Sequence, residues 1–321
     1  VTRELIQLAK QNGFNSIRLP CAWDQYIINE ETYEIDEDWL ERVKDVVKYC
    51  IDEDLYVLLN VHWDGGWLEN NCTIDKQEIN NEKQQAIWSQ IATYLRDFNE
   101  KLLFASANEP NVDNEEEMAV LNSYHQTFID TVRQTGGRNA YRVLIIQGPS
   151  TDIEKTLNLM NVIPTDKTPD RLMVEIHYYT PWNFCGMEKD EDWGDMFYYW
   201  GSGNHSSTDT IHNPTWGEES TIDQLFKSMK TKFVDEGIPV IIGEFGAIRR
   251  TRLSGESLEL HLKSRDDYHR NIVNKATELG LIPFYWDNGG TGDNSTGIFY
   301  RNKTQISDQR TINALLSGLA H

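Results

Sequence analysis

Short apolar runs alternate with longer amphipathic stretches along almost the whole chain, and this alternation constrains the fold more than any other feature. The runs at 16–20, 56–62, 102–108, 143–147, 172–178, 239–245 and 281–286 read as strands covered on both faces, as in a parallel sheet. Helices are predicted at 39–50, 82–98, 115–134, 221–235 and 258–279. In the first of these, Leu40, Val43, Val47 and Cys50 recur at three- or four-residue steps, with Glu41, Lys44, Asp45 and Lys48 on the opposite side. Regular strand–helix alternation means parallel strands with helices packed outside, an α/β architecture. With no low-complexity linker and no internal repeat, residues 1–321 are expected to form one domain.

A closed (β/α)8 TIM barrel takes eight strands, one more than the runs provide. The chain opens directly on a helix that Thr2 can cap, Leu5, Ile6 and Leu8 can pack and Gly13 can end. The expectation is therefore a barrel whose first strand is missing from this chain, supplied by a preceding segment or from elsewhere, because an open edge exposes unpaired backbone groups.

Lys and Arg number 30 against 51 Asp and Glu, a net charge of −21. Such a surface repels nucleic acid and anionic lipid and suits a neutral polymer, though acidity also serves solubility alone. No apolar stretch is long enough to cross a membrane, so neither membrane insertion nor nucleic-acid binding is expected. No signal-peptide pattern is visible at Val1–Leu5. Cys21, Cys50, Cys72 and Cys185 lack the spacing of a metal or redox site, and buried free thiols are expected unless one pair bridges.

Of ten tryptophans, only Trp39 and Trp88 fall in predicted helices. Trp23, Trp63, Trp67, Trp182, Trp193, Trp200, Trp216 and Trp286 fall at or after strand ends, where the loops of a barrel gather on one face. Indole faces stack on the apolar faces of sugar rings, so this inventory points to a carbohydrate cleft walled partly by the long 181–220 connection. Glu109, in Ala107-Asn108-Glu109-Pro110, and Glu244, in Ile242-Gly243-Glu244-Phe245-Gly246, each end a strand pattern. Carboxylates there face a cleft or need a partner, and two of them are the minimum for cleaving a glycosidic bond.

The stretches Ser16-Ile17-Arg18-Leu19-Pro20, Leu59-Asn60-Val61-His62, Asn108-Glu109-Pro110, His177-Tyr178-Tyr179, Gly243-Glu244-Phe245-Gly246 and Trp286-Asp287-Asn288 occur in an order that resembles glycoside hydrolase family 5, in its endo-β-1,4-glucanase branch. The resemblance spans the chain from first helix to last and implies a retaining glycosidase with no cofactor and no metal. It implies Glu109 as general acid/base and Glu244 as nucleophile, with Arg18 beside Glu244 keeping it ionised. Tyr179 is implied as a hydrogen-bond donor to Glu244, and Asn108 and His62 as partners of sugar hydroxyls. His177 is implied close to Glu109, and Trp286 as a stacking platform often followed by a cis peptide. Where many relatives carry a second His after the strand-end His, this chain has Trp63. Trp63, Trp67 and Trp182 are candidates for neighbouring sugar sites.

The implied substrates are β-1,4-glucans such as cellulose, mixed-linkage glucan and xyloglucan, with mannan as an alternative on the same glutamate pair. A monomer acting outside the cell, in the periplasm or at the cell surface is expected. A metal-dependent hydrolase would want clustered imidazoles at a strand end, where His62-Trp63-Asp64 offers one. A non-catalytic carbohydrate binder would have no need of both glutamates.

Overall fold

The first helix, α1 (Arg3–Gln11), begins as its sequence predicts: Thr2 is extended and its hydroxyl accepts the N–H of Leu5 at 3.3 Å. The computed structural model describes residues 1–319, in two bodies: Val1–Ile176 with Glu236–Pro239, and His177–Asp235 with the stretch from Val240 onward.

In the first body, strands β1 (Ser16–Leu19), β2 (Tyr56–Asn60), β3 (Leu102–Ala105) and β4 (Leu144–Gln147) are parallel neighbours in that order. Next to β4 runs β5 (Leu172–Tyr178), which continues into the second body. Helices α2 (Glu37–Asp52), α3 (Ile74–Tyr94), α4 (Glu115–Gln134) and α5 (Ile153–Leu159) intervene. Trp88 of α3 joins three elements, its ring centroid 5.3 Å from Phe104 of β3 and 4.5 Å from Phe128 of α4. All three rings are fully buried, so one aromatic knot seats two helices on the sheet.

The second body holds α6 (Trp182–Cys185), α7 (Glu219–Lys232), strand β6 (Val240–Phe245), α8 (Gly255–Glu278), strand β7 (Leu281–Tyr285) and α9 (Gln309–Ser317). Strands β6 and β7 are parallel, and their register slips between Ile242 and Phe245. Tyr178, Phe184, Trp200, Phe226 and Tyr268 form its aromatic core. Among the described residues no helix is long and apolar enough to cross a membrane.

All seven predicted strands are present; β5 keeps its predicted bounds and the other six are shorter by one to three residues at the ends where the chain leaves the ladder. Helix α3 starts at Ile74 rather than 82 because its first turns carry no apolar face: Ile74 and Ile79 are exposed there. Helices α5 and α9 escaped prediction, being short; Asp152 and Asp308 cap them by accepting the N–H groups of Lys155 and Thr311. Trp23 and Trp200 are core residues and not cleft residues, because each indole N–H is spent on a buried carbonyl, of Asn60 and Gly217. All four cysteines are buried free thiols. Burial pushes the thiols of Cys50, Cys72 and Cys185 up to about 12, which keeps them protonated.

Three histidines are buried without charge. His125 donates to the Gln147 carbonyl and accepts from Ser106, and burial lowers it to about 4. His261 bridges the Tyr198 carbonyl and the Arg250 N–H, and burial lowers it to about 3. His269 lies among the rings of Phe245, Tyr268 and Tyr285 with neither ring nitrogen hydrogen-bonded, and burial lowers it well below its usual value. As pH falls from 6.5 towards about 4, the unfolded chain takes up protons that the folded one refuses. Stability is therefore full above the unfolded histidine pKa and lost below it, by about 3 kcal/mol for His125 alone. Replacing His269 by Phe is expected to leave stability equal or higher at neutral pH and to flatten this acid loss, read from urea midpoints across that range. A steeper acid loss in the variant would contradict this account.

Candidate active site

In the first body, polar side chains are concentrated at the C-terminal ends of the parallel strands, where backbone pairing stops and functional groups can face a cleft. Arg18 of β1 places its Nε 2.8 Å from Glu175 Oε1 of β5, with both side chains nearly inaccessible. Its Nη2 donates to Asn108 Oδ1 at 2.8 Å. Glu175 also accepts from Gln147 Nε2 at 2.5 Å, and Gln147 stands opposite Glu175 in the β4–β5 register. A buried carboxylate is tolerated only with such a set of charged and amide donors.

Asn60 closes β2, accepting the N–H of Cys21 at 3.2 Å. Its amide nitrogen lies 3.3 Å from His62 Nδ1, which orients that half-buried ring. Past the end of β3 the chain is tied residue by residue. The Ala107 N–H donates to Gln147 Oε1, Asn108 is held by Arg18, and the Glu109 N–H donates to Glu69 Oε1, each at 2.8 Å. Glu109 itself is half-buried.

The loop after β2 carries two of the tryptophan candidates. Trp63 exposes about half its surface. Gly66 has φ +73°, and a Cβ there would meet Asn70 Nδ2 at 2.4 Å and Trp63 Cη2 at 3.0 Å, so only glycine permits this turn. Trp67 is half-buried, donating from Nε1 to Asp64 Oδ2 at 3.2 Å, with Lys83 Nζ 4.7 Å from its ring centroid. Asp64 also accepts the N–H groups of Trp23 and Asp24. Burial raises its pKa, opposed by those hydrogen bonds. Lys83 further pairs with Asp24, tying the two loops together.

In the second body, Glu244 lies within the register slip of β6, a place where irregular pairing re-aims a side chain. It is buried, at 6% exposure, and accepts the Tyr179 hydroxyl at Oε2 over 2.9 Å. His177 Nδ1 is 3.8 Å from the same oxygen. Glu175 and His177 are two apart on β5 and so project from one face of it. Trp182 is about half exposed and meets Tyr179 edge-on, ring centroids 6.3 Å apart. Trp286 is half-buried and donates its backbone N–H to the Phe245 carbonyl at 2.9 Å. The following Asp287 accepts the N–H groups of Gly289, Ile298 and Phe299. Among the described residues the cis peptide is Thr180–Pro181 and not Trp286–Asp287.

Within the first body the structure draws Arg18 and Asn108 together, and within the second it draws together His177, Tyr179 and Glu244. Trp63 and Trp67 share the loop that follows β2. Sequence reasoning missed Glu175, Gln147 and Glu69, the buried partners of these residues. Glu175, alternating with His177 in a strand otherwise apolar, was the visible signal for the first.

A family model for cellulase (glycosyl hydrolase family 5) matches residues 1–292. The chain is 37% identical to the xyloglucan-specific endo-β-1,4-glucanase of Bacteroides ovatus, covering 98% of this chain and 61% of that protein. It is 36% identical to endoglucanase A of Paenibacillus barcinonensis, covering 99% of this chain and 81% of that one. Among solved structures, a Bacteroides ovatus GH5 xyloglucanase in complex with a XXXG heptasaccharide aligns at TM-score 0.91 and 35% identity, covering 100% of this chain and 68% of that one. A family 5 xyloglucanase from Paenibacillus pabuli aligns at TM-score 0.91 and 36% identity, covering 99% and 90%.

Proposed function

Because this chain belongs to the cellulase family, glycosyl hydrolase family 5, and shares its (β/α)8 barrel fold, we propose that it is a retaining endo-β-1,4-glucanase. Residues 1–321 are read as one catalytic barrel, since the family match runs without interruption through both bodies. The observation that carries the reading is Glu244, a buried carboxylate set in a strand irregularity and hydrogen-bonded by Tyr179.

In this reading Glu244 attacks the anomeric carbon while Glu109 gives its proton to the departing glycosidic oxygen. The sugar–oxygen bond breaks as the sugar–Glu244 ester forms. Glu109, now ionised, takes a proton from water, which attacks the same carbon and releases Glu244. Two inversions at one carbon give net retention. Asn108 presents its amide N–H groups to the sugar 2-hydroxyl, because Arg18 has already engaged its oxygen. His62 binds a further hydroxyl, His177 stands beside Glu244, and Trp286 stacks beneath the ring being cleaved. Trp63 and Trp182, with exposed indoles, and Trp67 serve adjoining sugars.

Xyloglucan leads the substrates to test, with cellulose and mixed-linkage glucan beside it, since relatives of both kinds of printed specificity align over nearly the whole chain. Such polymers do not enter cells, which puts the site of action outside the cytoplasm. The experiment is a panel of xyloglucan, carboxymethyl cellulose, mixed-linkage glucan and glucomannan, followed by reducing-end release and by NMR of the first-formed anomer. The β-anomer is expected first, from a β-linked glucan. The α-anomer first would reject the covalent mechanism, and activity on glucomannan alone would reject the glucan assignment.

A further inference from the structure

Glu69 is 2% exposed, yet it stands on a loop and not on a strand. Its side-chain Oε1 accepts the N–H of Glu109, and its backbone carbonyl accepts the N–H of Asn111, both at 2.8 Å. One residue therefore grips the Glu109-Pro110-Asn111 turn at two points. The opposite side of the turn is held by the Ser150 N–H, which donates to the Pro110 carbonyl at 2.7 Å.

Glu69 is in turn fixed by its own surroundings. The turn at Gly66 admits no side chain. Asn71 donates to the carbonyls of Gly66 and Trp67, and the buried Asn80 of α3 donates to those of Trp67 and Asn71. A carboxylate oxygen accepting a backbone N–H makes a charge-assisted bond, stronger and more directional than a neutral one. Placed one covalent step from the Cα of Glu109, it sets where that side chain starts.

We infer that Glu69 is a positioning residue for Glu109, holding its backbone so that the carboxyl group meets the glycosidic oxygen. The inference rests on the glycosidase reading above. Its consequence is selective, because only substrates with poor leaving groups need the proton that Glu109 gives. A sugar leaving group needs it; 2,4-dinitrophenolate does not.

The test compares wild type with Glu69→Ala on two substrates: the polysaccharide that wild type hydrolyses fastest, and 2,4-dinitrophenyl β-cellobioside. The kcat/KM ratio reports steps up to formation of the sugar–enzyme ester. On the polysaccharide it is expected to fall roughly 10²-fold, the scale of a misplaced catalytic group. On the dinitrophenyl substrate kcat/KM is expected to hold, while kcat and KM fall together as hydrolysis of the ester becomes slow. Equal losses of kcat/KM on both substrates would overturn the inference, since a general loss of structure makes no distinction between leaving groups. If Glu69→Ala does not fold, Glu69→Met, which fills the space without offering an acceptor to the Glu109 N–H, carries the same comparison, with the same selective loss expected and the same equal loss overturning it. Wild type inert on both substrates would reject the glycosidase reading itself, a result distinct from either.

Discussion

Replacing Glu244 by glutamine is expected to lower turnover of β-1,4-glucan by roughly 10⁴-fold or more, the scale seen when a nucleophile is removed. Glutamine has the shape of glutamate and keeps an oxygen to accept the Tyr179 hydroxyl, so the local structure should stand. What it lacks is the charge and nucleophilicity that form the ester. Binding of xylogluco- or cello-oligosaccharides, measured by calorimetry, should survive within a small factor, and the unfolding temperature should hardly move. A smaller side chain gives the complementary result. In Glu244→Gly, added azide should take the vacated place, attack the anomeric carbon as Glu109 protonates the departing oxygen, and yield a glycosyl azide of α configuration. Unchanged turnover in Glu244→Gln would reject the nucleophile assignment.

Arg18→Met should damage stability and activity together. Its partner Glu175 is fully inaccessible, so removing the guanidinium takes a charged donor away from a buried carboxylate. Breaking a buried pair this way costs about 3–5 kcal/mol, or a fall in unfolding temperature of roughly 5–10 °C in a protein of this size. Asn108 also loses the donor that fixes its amide, so kcat on glucans should fall in parallel. A double-mutant cycle separates the two effects. Combined with Glu175→Gln, the buried charge is gone, and most of the stability should return while activity stays low. Strictly additive destabilisation would mean that the pair is not coupled.

The strand ends of this chain were legible because apolar runs of this length announce buried parallel strands, and the residues that follow them announce chemistry. Glu109 and Glu244 stood out that way, and Arg18 and His62 were singled out by the resemblance that the strand-end motifs carry. Their supporting groups were harder to find. Glu69 lies in a loop whose sequence, Gly66-Trp67-Leu68-Glu69-Asn70, shows no period, and Gln147 reads as the polar end of an apolar strand. The aromatic count overreached for a related reason: a tryptophan after a strand can turn inward, as Trp23 and Trp200 do, wherever a buried carbonyl awaits its N–H.

What the sequence determined by itself is the alternating pattern, the helix cap at Thr2, and the identity of the acidic and aromatic residues at strand ends. These depend on spacing and on side-chain chemistry within a few residues. What only the tertiary structure decided is partnership. Arg18 meets Glu175 and Asn108, Glu69 grips Glu109, and Tyr179 meets Glu244 across stretches of 40 to 157 residues. The reason is that a buried charge selects its partner by three-dimensional proximity and desolvation, and neither leaves a trace in local sequence order.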